Sequence, residues 1–176
     1  MQEMGVLCDF HGTLVDANKA WIKAFETYGI PDMNQVITDV YHKVNRKIIC
    51  HRYGIDYEEI KNQYTYFLEV RYEIVNLVKL LSNNAGIIIV SNSSRERLLR
   101  DVDFVKSKLD LNILEILSKE NGNKSDPDYI NRVLDKYNYK SAYLIGNDIR
   151  EDFNSSHRIT NIFVPYKNTI IMNKSL

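Results

Sequence analysis

Asp9 closes the apolar run Val6-Leu7-Cys8 and is followed by His11 and by the pair Gly12-Thr13. The run reads as a short buried strand, and strand C-terminal ends are where open α/β sheets place ligands. Gly12 lets the backbone approach a bound group with no Cβ in the way. Taken alone, Asp-x-x-Gly-Thr fits an incidental acid at a strand-to-loop transition equally well. Three further stretches shift that balance: Ser91 ends the apolar run Ile87 to Val90, Lys124 stands in the polar loop 118–126, and Asp148 and Asp152 follow the run Ala142 to Gly146. Carboxylates gathered in one place repel and lose solvation. They are tolerable around a hard cation such as Mg2+, which prefers oxygen ligands and completes its shell with phosphate or water. With a lysine and a hydroxyl added, the guest that fits is a phosphoryl group.

The elements between these residues must bring them together. Apolar residues at 21, 22, 25 and 28 have helical spacing, and Gly29 with Pro31 supplies a stop. A second helical run covers about 33–51, and a third runs from Asp56, with an acidic first turn, to about Glu69. A helix over Arg71 to Leu81 leads to a strand over Gly86 to Ser91, β-branched without polar alternation and so buried on both faces. Asn92-Ser93-Ser94 then offers a cap for a helix from Arg95 to about Lys108. A strand lies within Leu111 to Leu117, and a helix opening at Pro127 ends near Tyr137. A strand over Ala142 to Gly146, a helix from Ile149 to about Arg158 and a last strand over Ile162 to Val164 complete the order. Strand and helix in alternation predict an α/β class, a Rossmann-like parallel sheet with helices on both faces. Residues 17–69 are too long and too helical for a simple crossover and read as an inserted helical subdomain, with 1–16 and 70–176 forming the core domain. In a parallel sheet the strand ends coincide, so Asp9, Ser91, Lys124, Asp148 and Asp152 are expected on one edge.

Composition narrows the function classes. The chain of 176 residues is 44% hydrophobic, as expected of a globular protein, and its 23 basic residues equal its 23 acidic ones. A neutral total argues against a nucleic-acid partner. Two cysteines without regular spacing argue against a disulfide framework and against zinc. The acidic opening Met1-Gln2-Glu3 is not a signal sequence, and the longest apolar run, Gly86 to Val90, suits a strand rather than a membrane span. The expectation is a reduced, cytoplasmic protein with no membrane partner, acting as a monomer or homodimer.

The four stretches together resemble the motifs of the haloacid dehalogenase (HAD) superfamily phosphatases. The first motif stands as Asp9-Phe10-His11-Gly12-Thr13-Leu14-Val15-Asp16, and the second as Ile87-Ile88-Ile89-Val90-Ser91-Asn92. The third stands as Asn123-Lys124-Ser125-Asp126-Pro127, and the fourth as Gly146-Asn147-Asp148 with Asp152 four residues on. The likeness runs from about Met4 to Pro165, and the helical insertion resembles the small cap of the subgroup that carries its cap between the first two motifs. It implies a Mg2+-dependent phosphomonoesterase acting on a small phosphorylated metabolite, a sugar phosphate or nucleotide. Asp9 would be the nucleophile that becomes an aspartyl-phosphate. Mg2+ would be held by Asp9, the main-chain carbonyl of His11 and Asp148, with Asp152 supporting through water or as a ligand. Ser91, Asn92, Lys124 and Thr13 would bind the phosphoryl group, with Lys124 also keeping Asp9 ionised.

His11 departs from the pattern, which places an Asp there as the general acid/base. Imidazole, with a reference pKa of about 6.5, can do that work without the upward shift a carboxyl needs. Two other readings stay open: a silent or slow phosphate-binding regulatory protein, and a nucleic-acid end phosphatase. The remaining candidates read as structural. Cys8 is a strand residue, and His42 and His51 have a poor metal spacing. Tyr64, Tyr66, Phe67 and Tyr72 suit packing, and Arg95, Arg97 and Arg100 suit a solvated helix face. Lys119 competes with Lys124, whose distance from the Pro127 helix start is the better fit.

Overall fold

The computed structural model of the chain describes residues 4–83, 85–165 and the backbone of 171–174. The chain divides into two compact units, Asp16–Glu69 and a second made of the segments on either side of it.

The smaller unit is helical, with α1 (Ala17–Glu26), α2 (Met33–Tyr41), α3 (Arg46–Tyr53), α4 (Tyr57–Tyr64) and a 3-10 turn over Thr65–Phe67. Each of the four helices opens on an Asp or Asn whose side chain accepts a first-turn N–H: Asp16, Asp32, Asn45 and Asp56. The single helix expected over 33–51 is two. Lys43 has a left-handed backbone (φ 59°), and Asn45 then caps a new helix, a break that no Gly or Pro marks. The unit's centre is aromatic. Trp21 stacks on Tyr64 with ring centroids 4.5 Å apart and on Tyr57 at 6.3 Å, and Phe25 lies beside it. Of the aromatics read as packing, Tyr64 is fully buried, whereas Tyr66 and Tyr72 project into solvent.

In the larger unit six strands form one sheet: β1 (Met4–Cys8), β2 (Ile87–Val90), β3 (Ile113–Leu117), β4 (Ser141–Gly146), β5 (Ile159–Phe163) and β6 (Ile171–Lys174). Their spatial order is β3-β2-β1-β4-β5-β6. The first five run parallel, and β6, which the sequence did not suggest, pairs antiparallel with β5. β1 is central, with Cys8 registered against Ile89 of β2 and Ile145 of β4. Helices α5 (Tyr72–Ser82), α6 (Arg95–Leu109), α7 (Pro127–Lys136) and α8 (Ile149–Asp152) alternate with the strands. Leu7, Ile88, Val90 and Leu144 share one core with Ile130, Val133 and Leu134 of α7. Val6, Cys8, Ile87 and Ile89 alternate with them along the strands and are buried too, so both faces are covered, which is why β2 shows no polar alternation.

The last helix is shorter than its pattern suggests. α8 is a single turn, because from Asn154 onward side chains take over the backbone groups: Asn161 Oδ1 accepts the Asn154 N–H and Asn154 Oδ1 accepts the Ser156 N–H, both at 2.9 Å.

Candidate active site

The site is built on the turn that leaves β1. Asp9 extends the ladder by donating its N–H to Ile145 O (2.8 Å), after which Phe10 O accepts the N–H groups of Leu14 and Val15. Gly12 sits at φ 89°, a conformation most side chains resist. The buried Arg71 fastens this turn by donating to Gly12 O (2.7 Å) and to Val164 O (3.2 Å). Asp9, 4% exposed, therefore stands on a backbone fixed from three sides.

Lys124 reaches Asp9 from the loop after β3, its Nζ donating to Asp9 Oδ1 at 2.6 Å and also pairing with Asp152. Its own position is set through the main chain. Asn154 Nδ2 donates to Lys124 O, and Asn161 of β5 holds the Asn154 backbone in both directions, each bond 2.9 Å. The Thr13 hydroxyl lies 3.2 Å from Asp9 Oδ2 and 3.3 Å from Asn147 Oδ1. Asp152 accepts the Asp148 N–H at 2.7 Å, and a Cβ at Gly146 would overlap its side chain, so glycine is required for this carboxylate to lie under the end of β4. Asp148 caps α8 by accepting the Arg150 N–H (2.9 Å). Ser91, buried at the end of β2, accepts the Ser93 N–H (3.2 Å), while Asn92 is exposed. Of the two lysines weighed, Lys119 is exposed and Lys124 is 3% exposed and on Asp9.

His11 meets a partner that the sequence reading missed. Its Nε2 lies 2.9 Å from Oδ2 of Asp101, a fully buried carboxylate on α6, and its Nδ1 lies 3.1 Å from the Ser93 hydroxyl. Arg97 and Arg100, expected on a solvated face, flank that carboxylate, with Arg100 Nε 3.1 Å from Oδ1 and Arg97 Nε 3.6 Å from Oδ2. A signal was there: Leu98, Val102, Val105 and Leu109 make an apolar stripe, and Asp101 sits on it at three residues from Leu98 and four from Val105. An acid on a buried stripe requires a partner. Ser93 and Asn154 carried no comparable mark.

Burial dominates the electrostatics. It raises the Asp9 pKa to about 6, while Lys124 pulls the other way. Burial also works against the Lys124 ammonium, but Asp9 and Asp152 outweigh it and its pKa is raised. His11 is pushed down to about 4 by burial and by Arg97, against the pull of Asp101, and is neutral at pH 7.

These residues admit a hard cation. One ammonium faces two buried carboxylates, with Asp148 nearby in sequence, so negative charge is in excess and every donor is oxygen. Among the described residues no three Asp, Glu, His or Cys side chains form a ligand group. A cation would therefore rest on two carboxylates, a main-chain oxygen and water, which is the habit of Mg2+.

No family model and no curated protein matches the chain. Solved structures do. A HAD-superfamily hydrolase of subfamily IA from Geobacter sulfurreducens superposes with a TM-score of 0.60 at 15% identity, covering 84% of this chain and 79% of that one. A dehalogenase in an intermediate complex gives a TM-score of 0.67 at 14% identity over 96% and 88% of the two chains. A HAD phosphatase from Thermococcus onnurineus gives 0.51 at 16% identity over 86% and 80%. The described core, with its carboxylate at the end of the central strand, has the fold of the haloacid dehalogenase superfamily of hydrolases and phosphatases.

Proposed function

We propose that the chain is a phosphomonoesterase in which the Asp9 carboxylate attacks the phosphorus of a small phosphorylated metabolite in line. An aspartyl-phosphate forms as the bond from phosphorus to the metabolite's oxygen breaks and the alcohol leaves with a proton taken up from solvent, and water then cleaves the intermediate. The observation that carries this reading is the Lys124 ammonium, 3% exposed and 2.6 Å from a buried Asp9, with the Thr13 hydroxyl on the other carboxylate oxygen. A lysine so placed meets phosphoryl oxygens as they approach Asp9 and stabilises the charge they carry. Ser91 and Asn92, at the end of β2, supply further donors. Asp9, the His11 carbonyl and Asp148 would hold Mg2+, whose charge when bound screens those oxygens from the incoming carboxylate. Asp152, with one oxygen on the Asp148 N–H and the other facing Lys124, braces the site rather than ligating. His11 takes the acid/base place, and neutral imidazole suits the acceptance of a proton from the attacking water. Substrate choice we assign to residues 17–69.

A second reading, displacement of halide from carbon by Asp9, is favoured by the dehalogenase among the similar structures. Release of inorganic phosphate from an aryl phosphate, with and without Mg2+, is measured beside halide release from a 2-haloacid. Phosphate release that Asp9→Asn abolishes supports the phosphatase. Halide release alone replaces it with the second reading, and binding of phosphate without turnover at any pH replaces it with a silent pocket.

A further inference from the structure

His11 lies between two partners of opposite demand. Asp101, flanked by the guanidinium groups of Arg97 and Arg100, has only lone pairs to offer, so a hydrogen between it and His11 belongs to Nε2. A neutral ring carries one N–H, which leaves Nδ1 as an acceptor, and the Ser93 hydroxyl 3.1 Å away is the donor that satisfies it. Hydroxyl, imidazole and carboxylate thus stand in line, drawn from the end of β2, the turn after β1 and the interior of α6. Asp101 is fully buried, and the side chain of His11 is 10% exposed, so neither partner of this pair exchanges readily for water.

We propose that Asp101 is a positioning residue for the reaction: it fixes the His11 ring as its Nε2–H tautomer and aims Nδ1, on the Ser93 side, as the nitrogen that takes the proton. The proposal rests on the phosphatase reading. In hydrolysis of the aspartyl-phosphate, the water oxygen bonds to phosphorus as the bond from phosphorus to the Asp9 oxygen breaks. The Ser93 hydroxyl turns its hydrogen away from Nδ1, the water proton passes to that nitrogen, and from there it leaves to solvent. The pairing has the logic of a carboxylate that orients a catalytic imidazole without taking its proton.

Asp101→Asn makes a sharp test, because Arg100 Nε still needs an acceptor. The amide oxygen turns to Arg100, its NH2 faces His11, and the ring must accept at Nε2 and carry its hydrogen on Nδ1. Nitrogen NMR of protein labelled at its four histidines reads the tautomer directly, with His11→Gln identifying the signal. The parent is expected as Nε2–H and Asp101→Asn as Nδ1–H. With an aryl phosphate, kcat of the variant falls about 100-fold or more while KM stays within about twofold. Ser93→Ala keeps the Nε2–H tautomer, since Asp101 is intact. A parent ring protonated on Nδ1 overturns the proposal even if Asp101→Asn does not fold, as does an unchanged tautomer in the variant or a loss confined to KM. The spectra need no turnover. Expected spectra with no phosphate release from the parent would refute the phosphatase reading alone, and normal turnover with the wrong tautomer would refute this inference alone.

Discussion

The two units of the chain bury different things. In the sheet unit Asp9, Arg71, Asp101, Lys124 and Asp152 are all 7% exposed or less. In the helical unit, among the described residues, the buried polar side chains are Asp39 and Thr65, and the interior is the stack of Trp21, Tyr64 and Phe25. Taking an ion out of water costs several kcal/mol, and pairing at best returns it. A fold gains nothing in stability from five such groups that apolar side chains would not give it. The helical unit is built for packing, whereas the sheet unit gathers paired ions around the turn that leaves β1.

The largest effect that can break this contrast is on activity. Asp9→Asn keeps the shape and one acceptor for Lys124, so the protein should fold as before while phosphate release falls by about four orders of magnitude or more, as for loss of a nucleophile. Residual release within tenfold of the parent would remove Asp9 from the mechanism.

Next come two substitutions of similar expected cost and different cause. Lys124→Ala leaves Asp9 and Asp152 buried without their shared ammonium, which should cost about 3–5 kcal/mol. Trp21→Ala empties the aromatic stack and should also cost about 3–5 kcal/mol through the cavity it leaves. Urea denaturation separates them by a second change. Adding Asp152→Asn to Lys124→Ala should restore part of the loss, because it removes a stranded charge, whereas nothing neutralised near Trp21 restores any. Absence of that rescue would mean that Lys124 matters for its packing and not for its charge.

The same contrast explains what could be read from the sequence. The strands around Asp9 and Ser91 are unbroken apolar runs, and the helix from Pro127 opens on its proline, so the parallel order was legible from local chemistry. The break at Lys43 was not, since the residue takes its left-handed backbone without being Gly or Asn. The shortening of α8 depends on Asn161, seven residues beyond Asn154, and the β6 pairing depends on β5, so neither is a local property. The meeting of Asp9 with Lys124 spans 115 residues and was reachable only through the coincidence of strand ends. His11 was singled out at once, yet its carboxylate partner lies 90 residues away on a helix whose charged faces drew the eye from one acid on the apolar stripe.

Gly146→Ala makes a smaller and more local test. One added methyl meets Asp152, not solvent, so the carboxylate must leave its place beneath β4 and release both the Asp148 N–H and Lys124. Overpacking of this kind costs about 1–3 kcal/mol. Phosphate release should fall together with stability, whereas an alanine tolerated without loss of either would show that Asp152 is not a brace.

The smallest expected effect lies in the helical unit, where the lone buried acid gives a pH signature rather than a catalytic one. Asp39 accepts from Gln35 Nε2 at 2.8 Å and pairs with Arg52. Burial alone would raise its pKa, but Gln35 and Arg52 outweigh it and the folded value lies below the ordinary one. A depressed carboxylate gives stability that is fully present above its unfolded pKa of about 3.9 and is lost as pH falls through the folded value. Asp39→Asn should therefore flatten the fall in urea midpoint below about pH 4, with its slope against pH unchanged near neutrality. Because Arg52 is half in solvent, salt should shrink the difference between parent and variant. Identical acid limbs in the two proteins would show that this pair, unlike those around Asp9, contributes nothing that titrates.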